Sequence, residues 1–139
     1  MPQYAEILRR AFRCVGKAGN LDNIVATFHD LRWRVSESGP IGRVAYAVID
    51  GNKQTGEIHI LVAMEKAAAP LHEHLSGGTY GELILTFDGE LDDVTGEGQP
   101  IKLLPGMHLI HEPNSRHQPK TSTFWFGYYH QPCGSKLIE

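Results

Sequence analysis

The pattern of hydrophobic and polar positions changes near residue 33. Between residues 3 and 18, hydrophobic side chains recur every three or four positions, and the basic side chains lie mostly on the opposite face. This spacing predicts an amphipathic helix that ends near Gly16 and Gly19. We therefore expect residues 1–32 to form an N-terminal helical arm that serves packing or dimerisation.

From Trp33 onward, short runs of hydrophobic and β-branched residues alternate with turn signals that are rich in glycine, proline, aspartate and asparagine. The main strands predicted between these turns cover residues 44–49, 57–64, 82–87, 90–94, 101–104, 107–111 and 123–129. Because no helical pattern separates them, they predict an antiparallel sandwich or barrel over residues 33–139. The expected fold class is all-β.

Composition narrows the range of functions. The chain has 139 residues, a formal net charge of −3 and 13 scattered lysines and arginines. This balance argues against a nucleic-acid partner, which usually requires a basic stripe. No apolar run approaches the roughly 20 residues that span a bilayer, so we expect no membrane partner. With only Cys14 and Cys133, a disulfide framework is excluded and a cytoplasmic location is expected.

Eight histidines are present, and two of them stand two positions apart in Pro70-Leu71-His72-Glu73-His74. On an extended strand, residues i and i+2 point to the same side, so both imidazoles can reach one ion. Further along, Glu82 opens an otherwise apolar strand that closes at Gly89. A carboxylate in that position is costly unless it is solvated, paired or bound to a cation.

A second histidine segment begins at Gly106 and ends at His117. Pro113 and Asn114 predict a tight turn before His117, and asparagine tolerates the left-handed conformation that such turns often need. Together with the His72–His74 pair and the Glu82–Gly89 strand, this segment completes the pattern that carries the resemblance described next.

Residues 67–121 resemble the two motifs of the cupin family, a family of small β-barrels. The motif G(X)5HXH(X)3–4E(X)6G fits His72, His74, Glu82 and Gly89, with Lys66 at the opening glycine position and seven residues between His74 and Glu82. The motif G(X)5PXG(X)2H(X)3N fits Gly106 and His117, with substitutions at the other fixed positions listed here in order: Glu112, Asn114 and Thr121. The resemblance implies a single cupin barrel, a double-stranded β-helix or jelly roll, after the helical arm.

The resemblance also implies a metal site. It makes His72, His74 and His117 ligands, with Glu82 as a fourth, although some cupins bind metal through three histidines alone. Three imidazoles with or without a carboxylate suit iron(II) and zinc first, and also manganese, nickel and copper. Three protein ligands leave open positions, which favours an anionic small-molecule substrate or ligand. We expect no organic cofactor.

Two further residues are candidates for the pocket beside this site. Tyr80 has the same strand phase as Glu82, and His111 precedes the turn that leads to His117. The aromatic strand over residues 123–129 has two interpretations: core packing, which is the simpler one, or one face that lines an apolar pocket.

The function that we expect is that of a mononuclear metal-binding cupin. The specific hypothesis is a non-haem metal-dependent oxygenase, a dioxygenase that acts on a small diketone or hydroxyketone, with catalytic residues not identified. Similarity of Glu112-Pro113-Asn114-Ser115-Arg116-His117 to the cupin domain of zinc-binding anti-sigma factors supports a non-catalytic alternative, a zinc module that senses a ligand or oxidant. A metal-dependent sugar isomerase or lyase is a third possibility. Since cupins commonly form dimers, we expect a homodimer.

Overall fold

A computed structural model of the protein describes residues 33–36, 41–95 and 100–138. Ten strands in these ranges form one sheet. They are β1 (Trp33–Ser36), β2 (Ile41–Asn52), β3 (Glu57–Ala68), β4 (His72–His74), β5 (Glu82–Gly89), β6 (Leu91–Thr95), β7 (Ile101–Leu103), β8 (His108–His111), β9 (Arg116–Gln131) and β10 (Ser135–Leu137). The all-β prediction is confirmed, while the predicted arm over residues 1–32 lies outside the described residues.

Strand β9 organises the sheet because it pairs with four others. It runs antiparallel to β3 from Ala68↔Lys120 to Ile58↔Gln131, and its first residues pair with β4. It also pairs with β5 and β6. Strands β1 and β2 continue the sheet from β3, while β7, β8 and β10 pair with β6, β5 and β4. The sheet curls around one interior, and every pairing in it is antiparallel.

Side chains from several strands fill that interior. Ile60, Val62 and Met64 of β3 point inward and pack with a cluster of buried residues from other strands, namely Ile84, Leu91, Leu103 and Trp125. Leu61 and Ala63 point to the opposite face and are also buried. Because both faces of β3 are covered, its centre is a continuous apolar run rather than an alternating one.

Every main strand predicted from the pattern is present, but β9 is longer than predicted. It begins at Arg116 rather than at residue 123. Residues 116–122 are mostly polar and include Pro119, so neither hydrophobicity nor propensity marks them as a strand. Pairing with β3, β4 and β6 orders them instead. No helix within the described residues is long and apolar enough to cross a membrane.

Candidate metal centre

Three strands bring together the four residues that the motifs single out. His72 and His74 lie on the same side of β4, and His117 near the start of β9 is the cross-strand partner of His72. Glu82 is the first residue of β5. The ligand atoms of these four residues all lie within 4.8 Å of one another. His74, Glu82 and His117 are buried, and His72 is partly buried at the edge of a cavity.

The distances within this cluster, which we call the barrel site (His72, His74, Glu82 and His117), are short. Nε2 of His117 lies 2.8 Å from Nε2 of His72 and 3.0 Å from Nε2 of His74. The Glu82 carboxylate closes the group, with Oε1 3.2 Å from Nε2 of His117 and Oε2 3.5 Å from Nε2 of His74. Three ring nitrogens and a carboxylate therefore face one point.

The other ring nitrogen of each histidine has a partner that fixes the ring. Nδ1 of His117 donates to Oδ1 of Asp93 at 2.6 Å, and Nδ1 of His72 donates to the backbone carbonyl of Pro70 at 2.9 Å. Both acceptors require a proton on Nδ1. In the neutral ring, this leaves the lone pair on Nε2, which points into the barrel site.

The Nδ1 atom of His74 also carries a proton, because its partner is a hydroxyl group that must accept the hydrogen bond. Oγ of Ser115 donates its proton to the carbonyl of Glu112 at 2.6 Å, so it must accept the hydrogen bond of 3.0 Å from Nδ1 of His74. Nε2 of His74 therefore also presents a lone pair to the barrel site. Three converging lone pairs repel one another unless a proton or a cation lies between them.

Glu82 is ionised despite its burial. Burial alone would raise the pKa of this carboxyl group, but hydrogen bonds and charge interactions with His117 and His74 outweigh it and hold the pKa well below its ordinary value. Nε2 of Gln131 donates a further hydrogen bond of 2.5 Å to Oε2. A buried negative charge is thus fixed beside the three nitrogen lone pairs, which favours a cation.

Without a metal ion, the barrel site holds its compensating proton on His117. Burial would lower the pKa of this imidazole, but the carboxylates of Asp93 and Glu82 raise it to about 9. Burial and the neighbouring His117 lower the pKa of His72 to about 4, so that ring is neutral. A divalent ion would therefore replace one proton when it binds.

The barrel site fits a transition-metal ion in donor type and in spacing. Imidazole nitrogens bind zinc at about 2.0–2.1 Å, so two nitrogens around one such ion stand about 2.8–3.0 Å apart at a right angle and about 3.3–3.4 Å apart at the tetrahedral angle. The observed separations of 2.8 and 3.0 Å match the right-angle spacing and are slightly shorter than the tetrahedral one. Nitrogen and carboxylate donors suit iron(II) and zinc, and the metal identity follows from neither the spacing nor the donors.

An apolar cavity opens onto the barrel site. Its volume is about 180 Å³. His72 and Glu82 lie at the end of the cavity that borders the barrel site. The remaining walls are mainly hydrophobic and are formed by Val44, Tyr46, Val62, Met64, Ala69, Pro70, Ile84, Leu91, Pro119, Trp125 and Tyr129. Of the two interpretations of the aromatic strand, Trp125 and Tyr129 therefore follow the pocket interpretation, and the fully buried Phe126 follows core packing.

The structure places the two predicted pocket residues outside the cavity lining. Nε2 of His111 lies 2.7 Å from Oδ2 of Asp93, and the ring centroids of His111 and His117 are 4.2 Å apart. His111 therefore contacts a metal-ligand candidate and its carboxylate partner rather than the cavity. The hydroxyl of Tyr80 hydrogen-bonds Nδ1 of His130 instead. Sequence reasoning had not singled out Asp93 or Gln131, which hold the ligands.

Comparison with solved structures identifies the architecture. A cupin-like protein from Thermotoga maritima superposes with a TM-score of 0.64 at 13% identity, over 74% of this chain and 81% of that one. The chain has the cupin fold. Two further structural matches are a candidate acetylacetone dioxygenase from Methylibium petroleiphilum (TM-score 0.68, 10% identity, 80% of this chain and 77% of that one) and a DMSP lyase from Ruegeria pomeroyi (0.63, 20%, 84% and 66%).

No protein-family model and no curated protein sequence matches the chain. The three structural matches named above share 20% identity or less, so they show the cupin fold and not the reaction. Together, the fold and the buried His–Glu cluster describe a protein of cupin fold with a site suited to a divalent metal ion.

Proposed function

We propose that this cupin is a non-haem metal-dependent oxygenase, a dioxygenase that acts on a small diketone or hydroxyketone. One observation carries the proposal: the Nε2 atoms of three imidazole rings and an ionised Glu82 converge at the end of an apolar cavity. Protein ligands that face a cavity leave coordination positions open to substrate, as in catalytic sites rather than closed structural ones.

The size and lining of the cavity support a small substrate with an apolar body. A volume of about 180 Å³ suits a molecule of a few carbon atoms, and the walls offer few hydrogen-bonding groups. The polar end of such a molecule would face His72 and Glu82. A diketone or hydroxyketone fits this division because its oxygens lie together and its enolate form is an anion.

Tyr129 is the residue that we propose to orient the substrate from the cavity wall. Burial, with a smaller effect from the nearby Glu82, raises the pKa of this phenol above its ordinary value, so it stays protonated. A neutral hydroxyl can donate a hydrogen bond to an enolate oxygen. The apolar walls would exclude water from the reacting atoms.

Bound iron would supply a Lewis acid for the enolate and the redox chemistry that dioxygen requires. The protein's own contribution is geometric. Pro70, Ser115 and Asp93 hold the three imidazole rings with their Nε2 atoms toward the barrel site. Among the structural matches, the Methylibium petroleiphilum protein is named as a candidate acetylacetone dioxygenase, which supports this substrate class.

The alternatives draw on the same site. A zinc-binding cupin that senses a ligand or oxidant would use the barrel site and the cavity without turnover. A sugar isomerase or lyase is supported less well, because a mainly apolar wall offers few partners for several hydroxyl groups. The small-molecule partner, the homodimer and the cytoplasmic location stay predictions.

The deciding experiment is metal analysis of the full chain purified without added metal, followed by oxygen uptake with acetylacetone and with a hydroxyketone after loading with iron(II) or zinc. We expect uptake with iron and none with zinc. His72→Ala should abolish it, while His108→Ala, an exposed histidine of β8, should not. Zinc as the resident metal, ligand binding and no oxygen uptake with either metal would support the sensing alternative and contradict the oxygenase.

A further inference from the structure

A second group of metal-ligating side chains lies on the opposite face of the sheet from the cavity. It consists of Glu57 and His59 on β3 and His130 on β9, and we call it the outer cluster. Ile58 and Ile60 face the interior. Glu57 and His59 alternate with them along β3, so their side chains face outward. None of its residues belongs to the barrel site.

The sheet register itself brings the outer cluster together. His59 and His130 are direct cross-strand partners, and their rings stack at a centroid distance of 4.0 Å with an angle of 8° between the planes. Glu57 stands two residues before His59 and therefore shares its face. One ligand atom from each of the three residues lies within 4.8 Å of the others.

Each histidine of the outer cluster uses Nδ1 for a tyrosine and turns Nε2 toward Glu57. Nδ1 of His59 lies 2.6 Å from the hydroxyl of Tyr128, and Nδ1 of His130 contacts the hydroxyl of Tyr80. Nε2 of His130 lies 3.1 Å from Oε2 of Glu57, and Nε2 of His59 lies 3.8 Å from Oε1.

This arrangement repeats the organisation of a metal site. A tyrosine hydroxyl can either donate to Nδ1 or accept from it. Without an ion, Nε2 of His130 donates to Glu57; with an ion at Nε2, Nδ1 would donate to the tyrosine hydroxyl instead, and this second hydrogen bond would orient the ring. Two imidazoles and a carboxylate are a donor set that zinc accepts, with a fourth position for water. The side chains of His59, His130 and Glu57 are 28%, 14% and 39% exposed, so an ion can reach them from solvent.

We propose that Glu57, His59 and His130 form a second binding site, for a divalent transition-metal ion of the zinc class, on the outer face of the barrel. The ion would link β3 to β9. It would also hold the loop between β4 and β5 through the contact of Tyr80 with His130. The site is independent of the barrel site, and of the function proposed for it.

Zinc alone tests the proposal. The full chain, stripped with a chelator, is dialysed to equilibrium against Zn²⁺, and bound metal per chain is measured by atomic emission. We expect two ions for the wild type, one for each cluster. His130→Ala and the conservative Glu57→Gln should each lose the ion of the outer cluster and keep the ion of the barrel site. His72→Ala should lose the ion of the barrel site and keep the ion of the outer cluster. His108→Ala, which lies outside both clusters, should bind two ions like the wild type.

The outcomes separate the two sites. Loss of one ion in His130→Ala and Glu57→Gln supports the outer site whether or not the barrel site binds zinc. Stoichiometry that is unchanged in both variants overturns it, because Glu57 and His130 would then only be hydrogen-bonded to each other. Far-UV circular dichroism verifies that each variant is folded. If His130→Ala does not fold, the zinc stoichiometry of Glu57→Gln decides the test.

Discussion

Asp93 and His117 form a fully buried pair in which Oδ1 of the carboxylate accepts a hydrogen bond of 2.6 Å from Nδ1 of the imidazole. Asp93 is ionised although it is buried. Burial alone would raise the pKa of its carboxyl group, but hydrogen bonds and charge interactions with His111 and His117 outweigh that effect and lower the pKa to about 2. Asp93 thus fixes the orientation of His117 and keeps a proton on its Nδ1, so that Nε2 is the atom available to an ion.

Replacing this carboxylate should weaken metal binding without removing a ligand. In Asp93→Asn, the amide has no charge and cannot hold the imidazole as firmly, so we expect the Kd for Zn²⁺ at the barrel site to rise about 10- to 100-fold. Competition with a chromogenic chelator measures it, in a Glu57→Gln background that removes the outer cluster. The matched control is Asp92→Asn, whose carboxylate lies 3.5 Å from Nζ of the exposed Lys102. Equal affinities in the two variants would contradict the prediction.

The charge of Glu82 should matter to the same ion. Glu82→Gln keeps the side-chain volume but removes the negative charge, and we expect the Kd of the barrel site to rise at least about tenfold, equivalent to about 1.4 kcal/mol. Glu90→Gln removes the same charge from an exposed residue that pairs with Lys102 and should leave the Kd unchanged. If Glu82→Gln binds as tightly as the wild type, the three histidines alone hold the ion.

The metal-free protein should lose stability as the solution becomes more basic. The pKa of His117 is raised from 6.5 to about 9, so its protonated form stabilises the folded state fully below pH 6.5 and this contribution is lost as pH rises through about 9. The lowered pKa of His72 acts only below pH 6.5. Urea unfolding in the presence of a chelator should therefore show a decline between pH 6.5 and 9. His117→Gln should abolish the decline and His108→Ala should retain it; a wild-type curve that is flat or rises would contradict this.

Backbone conformation explains why the spacing of the motifs was informative even where the residue types differ. The glycine positions of the two motifs fall on Lys66, Gly89, Gly106 and Asn114, and all four have positive φ angles, of 45°, 74°, 86° and 65°. Such angles are left-handed and favour glycine or asparagine. The four positions lie at the bulge in β3, at the end of β5, between β7 and β8, and in the turn before β9, and the left-handed backbone is present at each although lysine and asparagine replace two of the glycines.

The residues around the ligands were harder to predict. On β6, Leu91 and Asp93 share one face and Asp92 and Val94 share the other, so alternation alone does not tell which aspartate is buried. Gln131 likewise has no local signal, since its role depends on Glu82, which is 49 positions away in sequence. Tyr80 stands two positions before Glu82 and would share its face on a continuous strand. It lies instead in the seven-residue loop before β5, where side chains do not alternate between two faces.

Lys66 offers a direct test of the backbone argument. It is exposed, lies at a β-bulge between Glu65 and Ala67, and has a φ of 45°. A left-handed conformation costs a residue with a Cβ about 1–2 kcal/mol, and glycine avoids that cost while it loses part of the gain through its freer unfolded chain. We expect Lys66→Gly to raise the free energy of unfolding by about 1 kcal/mol. Lys66→Ala removes the same side chain but retains the strain, so it should stay within about 0.5 kcal/mol of the wild type. Urea unfolding monitored by tryptophan fluorescence compares the three proteins, and a Lys66→Gly variant no more stable than Lys66→Ala would show that the bulge does not strain the lysine.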